Sequence, residues 1–388
     1  MKIKFGLLPR IILAIAAGVL IGSFAPEWMV RIFATFTTVF GNFLNFVVPL
    51  IILGFIAPGI AKLGKGSGKL LGLATGFAYA STIAAGILAF FAATAVLPNF
   101  MEKGAMNGID DLAKSLAVSF IDMPMEPVFG VMSALILAFI LGIGMASTGS
   151  KTMLSFFEEF QSIIEKVISY VIIPLLPFHI FGIFANMAYG GAVAKILSLF
   201  AVVFVLIIIL HWFMLTLQYS AAGLLTRKNP FFLLKTMLPA YFTALGTQSS
   251  AATIPVTVQQ ARKTGANERV VDFAVPLFAT IHLSGSTITL VSCAIGVLFL
   301  TGQDPSFSAF LPFIFMLGIT MIAAPGVPGG AVMAAIGLLE VMLGFDPTMI
   351  ALMIALYMAQ DSFGTAANVT GDGALAIITD RFANGKKV

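Results

Sequence analysis

Four polar residues near the end of the chain have the types and spacing to bind ions or charged groups: Asp361, Thr365, Asn368 and Asp372, in D-S-F-G-T-A-A-N-V-T-G-D. Intervals of four, three and four put them on one face of a helix. The flanking runs M-I-A-L-M-I-A-L-Y-M and G-A-L-A-I-I read like membrane interior. A charge at mid-bilayer costs about 3 kcal/mol even on lenient insertion scales, so such residues face a protein interior and mark an ion or substrate path. Packing alone is normally served by serine, threonine or glycine. Lysine and arginine are absent from 240–261, 270–301, 307–343 and 347–379, so the counter-charge comes from outside the chain. An ammonium group and a bound sodium ion would each neutralise one carboxylate. A helix break at N-V-T-G-D would add freed carbonyls, the hard oxygen ligands a small cation prefers.

The elements that hold this stripe are membrane helices. Of 388 residues, 59% are hydrophobic and 10% charged, and mean hydropathy is +1.05. Ordinary soluble domains carry about 25% charged residues. Runs such as A-K-I-L-S-L-F-A-V-V-F-V-L-I-I-I-L-H-W-F-M-L reach the roughly 20 residues a helix needs to span the bilayer, whereas barrel strands alternate over about ten. The fold class is therefore an all-α polytopic membrane protein. The basic, apolar N-terminus imitates a secretory leader but reads as a retained first helix. The single cysteine, Cys293, excludes an intramolecular disulfide and a cysteine-based metal site.

Hydropathy places spans near 10–25, 31–61, 70–97, 128–147, 160–190 and 193–223. Lys2, Lys4, Arg10, Lys62, Lys65, Lys69, Lys151, Arg227, Lys228 and Lys235 then share one side, with Arg31, Lys103, Lys114 and Lys195 as exceptions. That side is cytoplasmic, which puts both termini inside and 98–127 in an external loop. The net charge of +4 thus reflects topology and not a nucleic-acid partner.

From 229 onward the pattern changes. A-L-G-T-Q-S-S-A-A-T-I-P-V-T (244–257) and A-A-P-G-V-P-G-G-A-V (323–332) are too interrupted for lipid-facing helices. Each precedes an apolar stretch with its own polar break, I-H-L-S-G-S-T at 281–287 and the segment at 361–372. Broken backbone in a membrane lines a cavity or is buried in protein. Paired interruptions in two halves point to a central site between inverted repeats. The basic residues Arg262, Lys263 and Arg269 after the first hairpin, and Arg381, Lys386 and Lys387 after the last helix, orient one hairpin from inside and the other from outside. Ser249 and Ser250 at one tip, and Gly326, Val327 and Gly329 at the other, expose backbone N–H groups that attract a carboxylate. With the acidic stripe they describe a zwitterion site. His282 fits either a proton relay or a hydrogen-bonding partner.

S-S-A-A-T-I-P-V-T, P-L-F-A-T-I-H-L-S-G-S-T, P-G-V-P-G-G-A and N-V-T-G-D occur in the order of the signature segments of the dicarboxylate/amino acid:cation symporters, a family this chain resembles over nearly its whole length. The resemblance implies eight transmembrane helices plus two re-entrant hairpins in a glutamate-transporter-like inverted-repeat fold. It also implies a homotrimer in the cell membrane and a small amino acid substrate. Residues 1–223 would be mainly scaffold, with the third and sixth spans moving with a transport core at 224–388. The core would move like an elevator, with the second hairpin as outer gate. By motif, Asp361 would bind the substrate ammonium with Thr365 and Asn368 assisting, Ser250 with backbone at Val327 would hold the α-carboxylate, and Ser249, Ser286 and Gly364 would also belong to the substrate site. Asp372, Asn368, His282 and backbone near Phe278 would hold one sodium. Thr280, Met321 and Ala324 would hold another.

Three departures shape the functional expectation. Gly364 stands where acidic-substrate members place an arginine, which favours a neutral substrate. His282-Leu283-Ser284-Gly285-Ser286 replaces N-M-D-G-T and removes groups of a third sodium site. Gln248 replaces a basic residue or serine. The expectation is an elevator symporter, not an enzyme, taking up serine, threonine or alanine with sodium. The alternative within the class is a dicarboxylate or acidic amino acid with proton coupling. An intramembrane aspartyl protease is a distant rival, because eleven residues of unbroken helix separate Asp361 from Asp372 by about 16 Å. A channel would not need paired hairpin gates.

Overall fold

The computed structural model describes residues 7–63, 69–100, 103–104, 117–191, 193–322, 324 and 329–383. Val327 and Gly326, expected at the second hairpin's tip, lie outside the described residues. The helices are α1 (Leu7–Phe24), α2 (Glu27–Leu63), α3 (Lys69–Val96), α4 (Val131–Thr148), α5 (Lys151–Val167), α6 (Ile173–Tyr189) and α7 (Val193–Thr226). They continue with α8 (Pro230–Thr247), α9 (Ser250–Lys263), α10 (Glu268–Ile281), α11 (Ser284–Leu300), α12 (Phe307–Ile322), α13 (Gly330–Leu343) and α14 (Pro347–Ala383). Among the described residues, six helical runs are long and apolar enough to cross a membrane: Glu27–Ala61, Leu70–Asn99, Lys151–Tyr189, Phe200–Thr226, Glu268–Leu300 and Pro347–Ala383.

The helices form two packed groups. In one, α1 lies against α6, and α2 lies against α4, α5 and α6. In the other, α14 is the axis and packs against α3, α7, α8, α9, α10, α11 and α13. The span expected at 160–190 begins earlier, at Lys151. Its first part, α5, is amphipathic and reads as polar in a hydropathy window, although a π turn at Ile168–Ile172 joins it directly to α6. Pro174 opens α6 without an N–H to offer the preceding turn, which gives the wider turn a local cause.

Both hairpins are present where the sequence breaks. Helix α8 ends at Thr247, Gln248 adopts a left-handed conformation (φ 55°), and Ser249 caps α9 by accepting from the Ala252 N–H at 3.3 Å. Helices α12 and α13 pack on each other as the second hairpin. The break expected over 281–287 narrows to His282 and Leu283, both non-helical, between α10 and α11.

The break expected at 361–372 does not occur. Helix α14 runs unbroken from Pro347 to Ala383, so no carbonyls are freed at N-V-T-G-D. Its one proline sits at the first position, where it is tolerated. Thr370 Oγ1 donates back to the Ala366 carbonyl at 2.8 Å, and Tyr219 donates its hydroxyl to the Thr370 carbonyl at 2.6 Å. Polar side chains here decorate a helix instead of ending it.

Glycines set how closely the neighbours approach α14. A Cβ at Gly285 of α11 would lie 2.5 Å from the Gly364 carbonyl oxygen and 2.7 Å from Ala367 Cβ. Around Gly72 and Gly76 of α3 nothing lies within 4 Å of such a Cβ. Gly285→Ala should therefore cost about 1–3 kcal/mol, the usual range for overpacking. Gly76→Ala should leave stability unchanged, and thermal unfolding of the two purified variants separates these outcomes.

Candidate functional site

Helix α14 is buried over nearly its whole length, including Asp361, Thr365, Asn368 and Asp372. The anticipated common face is realised because the helix does not break. Three other helix starts meet that face. Their unpaired N–H groups and positive dipole ends supply the stabilisation that a buried carboxylate or amide oxygen requires.

At α13, the Gly329 N–H donates to Asp361 Oδ2 at 2.7 Å. Gly329 holds a left-handed conformation (φ 75°), and a Cβ there would meet Met358 Sδ at 2.7 Å, so both backbone and space favour glycine. At α11, the Gly285 and Ser286 N–H groups donate to Asn368 Oδ1 at 2.8 and 3.2 Å, and Asn368 Nδ2 donates to Ser286 Oγ at 2.9 Å. The side-chain oxygen of Asn368, anticipated as a substrate or sodium ligand, is thus engaged in clamping α11 to α14. At α9, Ser250 begins the helix and lines the same enclosure as Asp361.

That enclosure has a volume of about 30 Å³, far below the roughly 300–1,000 Å³ of small-molecule sites. Ser250, Ser286, Asp361, Thr365 and Asn368 line it together with Thr280, Ala324 and Tyr357. The tyrosine was not singled out from sequence. Its buried hydroxyl lies beside Asp361 and Ser286 without meeting good hydrogen-bond geometry. Thr280 donates its hydroxyl to the Leu277 carbonyl at 2.7 Å, and the Met321 carbonyl accepts from Ala324. Ser249 serves as the cap of α9 and does not line the enclosure. Gly364 also stays out of it: a Cβ there would rest 3.5 Å from Ser286 and Thr289 of α11.

Asp372, three turns further on, occupies a second polar cluster. His282 Nδ1 lies 2.9 Å from Asp372 Oδ1, with both side chains essentially inaccessible. His282 Nε2 is 3.0 Å from Ser81 Oγ, and Gln218 Nε2 donates to Ser81 Oγ at 2.9 Å. Because Gln218 supplies a proton to Ser81, one consistent assignment runs in a single direction. Gln218 donates to Ser81, Ser81 to His282 Nε2, and His282 Nδ1–H to Asp372. His282 and Asp372 are thus hydrogen-bonded neighbours. Asp372 Oδ2 and Gln218 Oε1 remain buried without partners among the described residues. The backbone of Phe278 joins the same cluster, since its carbonyl accepts from the His282 N–H at 2.8 Å.

The model of the sodium:dicarboxylate symporter family matches residues 7–382. The chain belongs to that family. A protein of Acinetobacter baylyi named serine/threonine transporter SstT is 26% identical over 400 residues, covering 98% of each chain. A protein of Acinetobacter baumannii strain AYE with the same name is 25% identical over 385 residues, covering 95% of each.

For this member of the sodium:dicarboxylate symporter family, motif reading located the α9–α14 residues and missed those supplied by α3 and α7. Ser81, His211, Gln218 and Tyr219 belong to helices whose hydropathy looks uninterrupted. His211 Nε2 lies 2.9 Å from the Gly285 carbonyl oxygen, at the start of α11. A signal was present in α7, where His211 and Gln218 lie two turns apart on one face of an otherwise apolar run. The two glycines that flank Asp372 have a packing cause. A Cβ at Gly371 would lie 2.7 Å from Gln218 Oε1, and one at Gly373 would lie 2.8 Å from the Tyr219 hydroxyl.

Replacing His282 by Phe removes the donor to Asp372 Oδ1 and leaves a buried carboxylate with neither oxygen partnered. The loss should be about 1–3 kcal/mol, the cost of an unsatisfied buried group. A double-mutant cycle with Asp372→Asn, read by thermal unfolding, should show coupling above about 0.5 kcal/mol. Additive losses would mean that the two side chains do not interact in the folded protein.

Proposed function

We propose that this family member is a sodium-coupled symporter for a small neutral amino acid of the serine, threonine or alanine type. The carrying observation is Asp361, a buried carboxylate facing an enclosure otherwise lined by hydroxyl, amide and apolar groups, with no arginine or lysine among the residues lining it. An ammonium finds a counter-charge there. A second substrate carboxylate finds none, which weighs against the acidic substrates. The names of the two Acinetobacter relatives support the same substrate class.

In this reading the ammonium replaces the Gly329 N–H at Asp361 Oδ2 and draws Thr365 into its coordination. The enclosure is too small for an amino acid while that bond holds, so the second hairpin swings aside on entry and closes again behind the substrate. The α-carboxylate turns to the start of α9, where Ser250 and free N–H groups face it. Val327 completes the other side. Asp372 Oδ2 is the anionic ligand for one sodium, and Thr280, Met321 and Ala324 contribute oxygens to a second that holds the hairpin shut. These ions are cargo, released with the amino acid on the other side of the membrane.

The packing supports a division in which α3 and α7 travel with α8–α14, while α1, α2 and α4–α6 form the frame. Helices α1 and α4, shorter apolar elements, supply the two crossings that bring the count to eight. The assembly is a homotrimer held by the frame in the cell membrane, with both termini inside.

Reconstituted protein should accumulate labelled serine or threonine under an inward sodium gradient. Asp361→Asn should lower that uptake at least ~30-fold, which corresponds to about 2 kcal/mol for truncating a buried charge contact. Uptake of aspartate in preference to every neutral amino acid would overturn the substrate assignment.

A further inference from the structure

A second cavity lies away from the acidic stripe, at the seam between the two helix groups. It measures about 420 Å³, within the 300–1,000 Å³ typical of small-molecule sites. One wall is α2 and α6, through Thr37, Thr38, Asn42, His179, Gly182 and Asn186. The opposite wall is α13 and α14, through Ile336, Pro347, Thr348, Ile350, Ala351 and Ile354. The segment 117–119 forms a third side.

This third side is firmly attached to the first wall. Ala117 exchanges both backbone hydrogen bonds with the Asn186 amide, at 2.8 and 3.0 Å. Arg31 Nε donates to the Val118 carbonyl at 3.0 Å, and its guanidinium lies 4.2 Å from the Phe120 ring centroid. The Phe120 N–H donates to Thr35 Oγ1, and Asn42 Nδ2 donates to Asp122 and Met123. The cavity is thus walled by one rigid unit on two sides and by α13 and α14 on another.

Its chemistry is that of a built site. His179 is 3% exposed, yet its Nδ1 has no hydrogen-bond partner among the described residues. Thr37 Oγ1 is also buried and unpartnered, and it lies 2.3 Å from where a Cβ at Gly182 would be. Buried polar atoms are ordinarily satisfied, and an orphan calls for an explanation. No aspartate, glutamate, lysine or arginine lines the cavity, and Leu44, Ile183, Met187 and the α14 residues give it apolar walls.

We infer that this seam cavity is a second ligand site, for a neutral molecule with an apolar body and one or two hydrogen-bonding groups that meet His179 and Thr37 after small side-chain rotations expose their unpartnered atoms. Its occupant touches α2 and α6 on one side and α13 and α14 on the other. By bridging the two groups it slows their relative movement and acts on transport without entering the acidic stripe. Ile354 is about 10 Å along α14 from Asp361, so the two sites share a helix and not a space. The effect on transport rests on the symporter reading above, whereas occupancy does not.

4-(Hydroxymethyl)benzophenone is a suitable probe, because it is neutral, apolar and carries a hydroxyl and a ketone whose photoexcited state inserts into nearby C–H bonds. Irradiation of the reconstituted protein with this probe, followed by peptide mass spectrometry, should give adducts at Ile183, Met187 and Ile350. Ala351→Trp, which fills the cavity, should reduce them at least tenfold, and His179→Phe at least threefold. Ile140→Trp, on an exposed position of α4, should leave them unchanged. Adducts confined to exposed residues such as Ile140 and Phe178, or unaffected by both cavity variants in monodisperse protein, would overturn the site. In uptake assays the probe should lower the maximal rate with KM unchanged. Competition with serine would instead place the probe in the acidic stripe and overturn the bridging role. Absence of serine uptake alongside cavity labelling would refute the symporter reading and leave the ligand site standing.

Discussion

Two carboxylates buried on one unbroken helix set the terms for everything around them. Transfer of an ionised carboxylate into a low-dielectric interior is prohibitive unless it is paired and hydrogen-bonded. Asp361 and Asp372 are both buried, and the stretches 240–261, 270–301, 307–343 and 347–379 around them carry no lysine or arginine. What the chain offers is one backbone N–H at the start of α13 with the Tyr357 hydroxyl nearby, and one imidazole at the break before α11. Each satisfies one oxygen strongly and leaves capacity for a mobile cation at the other. Fixed cations in those places would satisfy the carboxylates permanently and abolish any reason for an ion to enter.

This requirement determines which helices break. If α14 were interrupted at N-V-T-G-D, its own carbonyls would need partners, and the stripe would lose its common face. Instead α14 is continuous, and the interruptions fall on elements aimed at it: the turn at Gln248, the extended pair His282–Leu283 and the left-handed Gly329. Each interruption creates a helix start, and each start directs N–H groups toward the stripe. The glycines follow from the same demand, because Gly285 and Gly371 let α11 and the His282 cluster come close to α14. Close approach shortens the hydrogen bonds and keeps water away from the charges, which raises their affinity for a cation.

Much of this plan was readable in the sequence, and the unread parts have physical causes. The hairpins were visible because serine, proline and glycine interrupt apolar runs, and the acidic stripe was visible because helical spacing needs no tertiary information. Side chains contributed by another helix were not. Ser81 sits in an ordinary small-residue stretch of α3, and only its position opposite His282 gives it a task. The expected break at 361–372 failed for a related reason. Asn, Thr and Gly lower helix propensity by fractions of a kcal/mol up to about 1 kcal/mol each, whereas tertiary hydrogen bonds from Tyr219 and to Asn368 hold that stretch helical. Gly364 illustrates a limit of another kind: the role proposed for it lies in a side chain it lacks, and the geometry around it shows only a close helix contact.

If the empty valences of Asp361 and Asp372 are filled by an ammonium and a sodium ion respectively, amino acid and sodium binding must be linked, and the linkage must run in both directions. The direct measurement is isothermal titration of purified protein with serine across a series of sodium concentrations. Serine affinity should rise with sodium by about 5–150-fold, the usual span of such coupling, and Asp372→Asn should reduce the rise to about twofold or less. Serine affinity that is measurable and indifferent to sodium in the wild-type protein would contradict the account.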